Sequence, residues 1–381
     1  MNSPSGHRPD TTAVRAGRDA NGSALAPILW ASSTFHAPTV EESHRRATRP
    51  RVDDFYGRYG NPGVQAFADA VAELEGAEAG LAFGSGMGAV SSTVLALCSQ
   101  GSHVVAQRQL FSATHQLFIG VCARFGIDVT MVDGTDAAAI EAAVVPGRTQ
   151  LVFVETPANP TMAVVDLERV GAITGAITVV DSTFATPILQ RPLDFGVDLV
   201  LHSATKALAG HNDATLGVIA GHRDLVDWIW GYSTVHGATA SPFDAWNGLR
   251  GIRTLSVRLR RQSETALALA QRLERDPRVR RVHYPGLAGA DLELARAQMP
   301  RGFGPLLSFE VEGGAAAAEA VVRGSRLIRP GTSFGGVESS WERRARWKGE
   351  DAPEGLIRLS VGIEDGADLA RDLDMALAAL G

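Results

Sequence analysis

Apolar and polar positions change rhythm along the chain. Up to about residue 58 there is no sustained period, and Pro, Gly and charge are scattered. Such a stretch reads as an extended arm that needs another surface to lie on. From about residue 64 helix and strand patterns alternate. Helices are predicted over 64–74, 87–98, 113–125 and 167–174, and short apolar strands over 103–106, 128–132, 151–155, 178–181 and 198–202. That alternation implies an α/β fold, with a mostly parallel central sheet and helices on both faces. Beyond about residue 255 the rhythm shifts to a long amphipathic helix, 256–275, and strands near 279–283, 306–311 and 356–361. A last helix follows over 367–380, with Asp365 as its N-cap. The expected division is an N-terminal arm over 1–58, a large domain over 59–255 and a smaller C-terminal α+β domain over 256–381.

The segment 79–107 contains no acidic or basic residue except His103 and is long enough to span a bilayer. Gly84, Gly86, Gly88, Ser91, Ser92 and Gly101 interrupt it, and it reads instead as a strand, a Gly-rich turn and a buried helix. With 45% hydrophobic and 20% charged residues, the composition is that of an ordinary globular protein. A net charge of -6 points away from nucleic acid and permits self-association. Cys98 and Cys122 have neither metal-ligand nor redox spacing, so no metal is expected and a reducing cytoplasmic setting is. The N-terminal residues lack the apolar core of a secretory signal.

Ligands in open α/β sheets gather at the carboxyl ends of the strands. Polar clusters fall there three times: Glu155 to Pro160, Asp181-Ser182-Thr183, and His202 to Lys206. A fourth candidate, the turn at residues 84–88, fits G-x-G-x-x-A. A dinucleotide site would want an acid at the end of the next strand, yet that strand ends in Gln107-Arg108. What remains is a helix start whose N–H groups suit phosphate. Lys206 and Asp181, each ordinary alone, together meet the demands of pyridoxal phosphate (PLP). That cofactor needs a lysine for its aldehyde and a carboxylate to keep its pyridine nitrogen protonated.

The blocks HSATKALAGHND, ETPANPT, VVDSTFATPILQRPL, SPFDAWNGLRGIRTL, HYPGL and GLIRLSVGIED extend this reading. From about Thr12 to the C-terminus the chain resembles the Cys/Met-metabolism PLP-dependent enzymes, which include cystathionine γ-lyase, cystathionine γ-synthase and methionine γ-lyase. The resemblance implies PLP fold type I, a cytoplasmic homotetramer built as a dimer of dimers, and chemistry on a sulfur amino acid. It makes Lys206 the Schiff-base lysine and proton carrier, and pairs Asp181 with the pyridine nitrogen. It gives the phosphate to Gly86, Met87, Ser203 and Thr205, joined by Tyr56 and Arg58 from the neighbouring subunit. Arg358 becomes the clamp for the substrate α-carboxylate, helped by Asn159 and Ser333. Glu338 matches a position linked to γ over β preference.

Some positions depart from the family pattern. Phe111 stands where the family has a tyrosine stacked on the cofactor ring; it keeps the stacking and loses the phenol that relays protons. Ala113 lacks the cysteine typical of methionine γ-lyases, Ala207 replaces an aromatic residue and Ser182 an asparagine. After Glu338-Ser339 the chain carries Arg343, Arg344, Arg346 and Lys348. These read either as recognition of an anionic or bulky distal part of the substrate or as a solvated helix face or subunit contact. Three functions follow: γ-elimination from L-methionine, L-cystathionine or a relative; γ-replacement on an O-acylhomoserine; and a PLP-binding protein without turnover, against which the intact Lys206, Asp181 and Arg358 argue.

Overall fold

The computed structural model describes residues 6–289, 291–346 and 352–381. Strands β1 (Ala79–Phe83), β2 (His103–Gln107), β3 (Asp128–Val132), β4 (Thr149–Glu155), β5 (Ile177–Asp181), β6 (Leu199–Ser203) and β7 (Gly217–Gly221) form one sheet in the order β1-β7-β6-β5-β4-β2-β3. Successive residues of its central strands enter different cores. Leu151, Phe153, Val179 and Leu201 pack on one face with Ala89, Val90 and Val94 of the helix Gly86–Leu97. Val105, Val152, Val154 and Val180 pack on the other with Leu167 and Val170. Burial on both faces is why these strands are nearly continuous apolar runs.

The strands from β2 to β6 pair in parallel, as the alternating pattern predicts. β7, which the periodicity did not single out, runs antiparallel to both β6 and β1. An antiparallel return needs no crossover helix. The segment between β6 and β7 is therefore a short loop over the carboxyl edge of the sheet, and it carries Lys206. The Thr205 N–H donates to the Leu216 carbonyl at 3.0 Å and Thr205 Oγ1 accepts from the Leu216 N–H at 2.9 Å, which closes the loop.

A second sheet contains β8 (Val279–His283), β9 (Leu306–Val311), β10 (Arg329–Pro330), β11 (Ser340–Arg343) and β12 (Leu356–Ser360), in the order β10-β11-β12-β9-β8. Its core of Leu307, Phe309, Trp341, Ile357 and Leu359 is covered by the helices Leu255–Leu273, Gly314–Gly324 and Gly366–Leu377. Asp365 caps the last of these through the Ala367 N–H at 2.9 Å. The first 58 residues contain helices that periodicity could not reveal, Pro9–Arg15 and Val40–Thr48. The second buries no residue and so has no apolar stripe; Thr39 caps it through the Glu42 N–H at 3.1 Å. The expected helix over 113–125 is present over residues 112–124; it opens as α-helix, Ser112–Gln116, and widens into a π-helical stretch, Leu117–Cys122. Among the described residues no helix is long and apolar enough to cross a membrane.

Arg258, buried within Leu255–Leu273, donates to the carbonyls of Ala207 and Gly251, both at 2.8 Å. It ties the long helix to the loop that carries Lys206. Arg258→Leu should strand these buried carbonyls and destabilise the protein by about 2–4 kcal/mol. The midpoint of urea unfolding reads the change; an unchanged midpoint would remove Arg258 as a tie.

Candidate active site

The carboxyl ends of β4, β5 and β6 deliver Glu155, Asp181 and Ser203 to the wall of a cavity of about 390 Å3. Gly86, Met87, Phe111, Asn159, Thr205, Lys206, Ser333 and Arg358 line it as well. Ten of the sequence-derived candidates are thus brought together.

On one wall, the helix Gly86–Leu97 begins against Ser203. Ser85 caps it through the Gly88 N–H at 2.9 Å, and a Cβ at Gly86 would lie 2.7 Å from Ser203 Cβ. Only glycine permits this approach, which brings a helix N-terminus and the Ser203 hydroxyl to one spot. Backbone N–H groups there suit a phosphate dianion. Thr205 lies beside them, but its hydroxyl already donates to the Leu216 carbonyl at 3.2 Å. To serve a phosphate it must turn its proton.

Deeper in, Asp181 and Glu155 face each other across β5 and β4 in register. The Thr183 N–H donates to Asp181 Oδ1 at 3.0 Å, and Glu155 accepts from the N–H groups of Phe111 at 2.8 Å and Asn159 at 3.0 Å. Burial raises the pKa of both acids, and the neighbouring Asp181 raises that of Glu155 further. A cationic ring nitrogen beside Asp181 would favour its ionised form.

Opposite, Lys206 Nζ donates to Ser333 Oγ at 2.7 Å. Burial, with Arg358 adding to it, lowers its pKa to about 8. Arg358 donates to Asn159 Oδ1 at 2.7 Å, to the Ser333 carbonyl at 3.1 Å and to Glu342 Oε1 at 2.8 Å. The Phe334 ring lies between the two cations, 5.1 Å from Lys206 Nζ and 5.3 Å from Arg358 Cζ. Phe111 is 44% exposed at the mouth of the cavity, so a planar ring can stack on it.

Three candidates lie elsewhere. Glu338 accepts from Asn212 Nδ2 at 2.8 Å and does not line the cavity. Tyr56 is 42% exposed, and Arg58 stacks on Tyr56 and Tyr59 while donating to the Thr234 carbonyl at 2.6 Å. Glu155 and Thr183, from the polar clusters at strand ends, and Arg344, from the basic segment after Ser339, line the site as well, and so does Phe334, which the sequence did not single out. Glu155 had a usable signal, an acid ending a buried strand as Asp181 does. Phe334 had none, and for Arg344 the basic run could not say which of its members reaches the cavity, because strand register and loop path decide that. The basic segment is a strand followed by a tight turn, Arg344–Arg346, not a helix face. Lys348 lies outside the described residues.

A phosphate cradle, a buried acid for a ring nitrogen and a lysine of lowered pKa suit pyridoxal phosphate. Residues 10–378 match the family model of the Cys/Met metabolism PLP-dependent enzymes. The chain is 40% identical to the L-methionine gamma-lyase of Pseudomonas putida, over 97% of each chain. It is also 40% identical to the O-succinylhomoserine sulfhydrylase of Pseudomonas aeruginosa, over 97% of this chain and 95% of that one. The fold superposes on the crystal structure of metB from Corynebacterium glutamicum with a TM-score of 0.93 and 34% identity, covering 99% and 100% of the two chains.

Two outcomes follow. Gly86→Ala should raise the dissociation constant for pyridoxal phosphate by about tenfold or more, because the added carbon meets Ser203. An absorbance titration of the apoprotein reads this, and unchanged affinity would remove the cradle. Cofactor capture needs the neutral amine of Lys206. With a pKa of about 8, about one molecule in ten is neutral at pH 7. The capture rate should rise with pH and level off above pH 8; a rise continuing to pH 10 would mean an unshifted lysine.

Proposed function

This chain belongs to the Cys/Met metabolism PLP-dependent enzymes, and from that premise we propose that it catalyses γ-elimination on a sulfur amino acid such as L-methionine or L-cystathionine, giving a thiol, a 2-oxo acid and ammonia. The contact that carries the reading is at Ser333, whose hydroxyl meets Lys206 Nζ at 2.7 Å and whose carbonyl meets Arg358 at 3.1 Å. A base and a carboxylate clamp so spaced suit an α-amino acid held by one end with its Cα–H toward the amine.

Gly86, Met87, Ser203 and Thr205 would hold the phosphate, Asp181 the pyridine-nitrogen proton, and Phe111 would stack on the ring. When bound, pyridoxal phosphate supplies an electron-accepting ring that stabilises negative charge at the substrate's α and β carbons. Arg358, with Asn159 and Ser333, would orient the α-carboxylate; guanidinium suits that fork better than ammonium. Lys206 Nζ would take the proton from Cα and return it farther along the chain. Glu338 stays a candidate for γ preference, acting at a distance through Asn212.

We also infer a homotetramer, a dimer of dimers, in which Tyr56 and Arg58 reach the neighbouring subunit's phosphate. The half-exposed ring of Tyr56 and the exposed Leu25, Val235 and Phe243 support a covered surface. An arm over 1–58, a large domain over 59–255 and a small domain over 256–381 would then have distinct duties. The buried thiols of Cys98 and Cys122 suit the cytoplasm.

Phe111 favours a second reading, γ-replacement on an O-acylhomoserine, because a carboxylate leaves without the proton that a thiolate wants. Purified holoenzyme mixed with methionine, cystathionine or O-acylhomoserines, with and without added thiol, separates the two. The first reading expects 2-oxo acid without thiol; a product that needs thiol favours the second, and no product from any of them overturns both. Phe111→Tyr should speed methionine cleavage by about tenfold or more. An unchanged rate would make the missing phenol irrelevant.

A further inference from the structure

The basic residues after Glu338 meet different fates. Arg343 pairs with Glu354 at 2.7 Å and Glu319 at 3.2 Å, away from the cavity. Arg346 is half-exposed and pairs with Glu342 at 2.7 Å. Arg344 is 4% exposed and lines the cavity.

Register explains its place. Glu342 on β11 lies directly opposite Arg358 on β12, so the two side chains share one face of the small sheet. Its Oε1 accepts from Arg358 Nη2 at 2.8 Å and also from Arg344 Nη1. One carboxylate oxygen therefore joins two guanidinium groups, and Glu342 is not among the described residues that line the cavity. Two guanidinium groups buried side by side repel, and a shared counter-charge offsets that. Glu342, 2% exposed, supplies it from behind and holds both arginines at the wall.

An α-amino acid brings one α-carboxylate, which Arg358 takes. The second guanidinium presents the same cavity with another planar set of donors matched to carboxylate geometry. We propose that Arg344 is a specificity-determining residue that receives a second carboxylate at the far end of the γ-substituent, with Glu342 as its positioning residue. The preferred substrates are then amino acids that bear an acid group at both ends. This rests on the γ-chemistry proposed above.

Two esters isolate the effect, because O-succinyl-L-homoserine and O-acetyl-L-homoserine share the bond that breaks and differ in the terminal carboxylate. The wild-type holoenzyme should prefer the succinyl ester. In Arg344→Gln the ratio of kcat/KM for the two esters should fall about 10- to 100-fold, carried by the KM of the succinyl ester. Arg344→Lys should keep part of the preference. A proportional loss on both esters would make Arg344 a mere support for Arg358 and overturn the proposal.

Binding gives a readout that needs neither turnover nor a variant. L-2-aminopimelate and L-norleucine lack a γ-leaving group and differ at the chain end. Calorimetry on the wild-type holoenzyme should show at least about tenfold tighter binding of the diacid; equal binding overturns the proposal. If the diacid binds tighter and neither the esters nor methionine and cystathionine react, the γ-chemistry falls and the Arg344 subsite stands.

Discussion

Ser333 stands between two cations that arrive from different sheets. Lys206 comes from the loop after β6 of the large sheet, and Arg358 from the middle of β12 in the small one. The serine hydroxyl takes the first and its carbonyl the second. To face both it holds φ at +80°, a left-handed backbone that costs a non-glycine residue about 1–3 kcal/mol. The Gly335 N–H, which donates to Ser360 Oγ at 3.0 Å, helps to hold that turn against β12. The spacing between base and clamp, on which the proposed chemistry depends, is thus a matter of how the two sheets seat on each other.

Around this contact, burial acts in opposite directions on opposite charges. It lowers Lys206 and Arg358 and raises Asp181 and Glu155, in each case toward the neutral form. A lysine made easier to deprotonate is a better base near neutral pH, and an acid held back from ionising is ready to take up a cationic partner. Neither shift is visible in a residue's identity. Both follow from burial where the two sheets meet.

Glu342 shows how far a register reaches. Shifted by one residue along β11, Trp341 would face the cavity and the carboxylate would enter the apolar core. In the observed register Trp341 is 1% exposed within the small-sheet core and Glu342 meets Arg358.

Much of the molecule was legible in the chain itself. The parallel strands β2 to β6 announce themselves as apolar runs because both of their faces are buried; Lys206 and Asp181 fall where such strands end, and the Gly86 turn follows the buried strand β1. β7 and the helix Val40–Thr48 escaped, the first because its residues, GVIAG, form only a brief apolar run, the second because it buries nothing. Phe334 had no local signal, the basic run after Ser339 did not say that Arg344 is its member at the cavity, and Glu338, matched by resemblance, lies outside the cavity on Asn212. Sequence alone determined the buried parallel strands, the long helices and the residue types their ends present, because periodicity and strand-end chemistry are local. Tertiary structure alone decided which side chains share the cavity and what charge they carry there. Cross-strand register, the seating of one sheet on another and desolvation belong to no single segment.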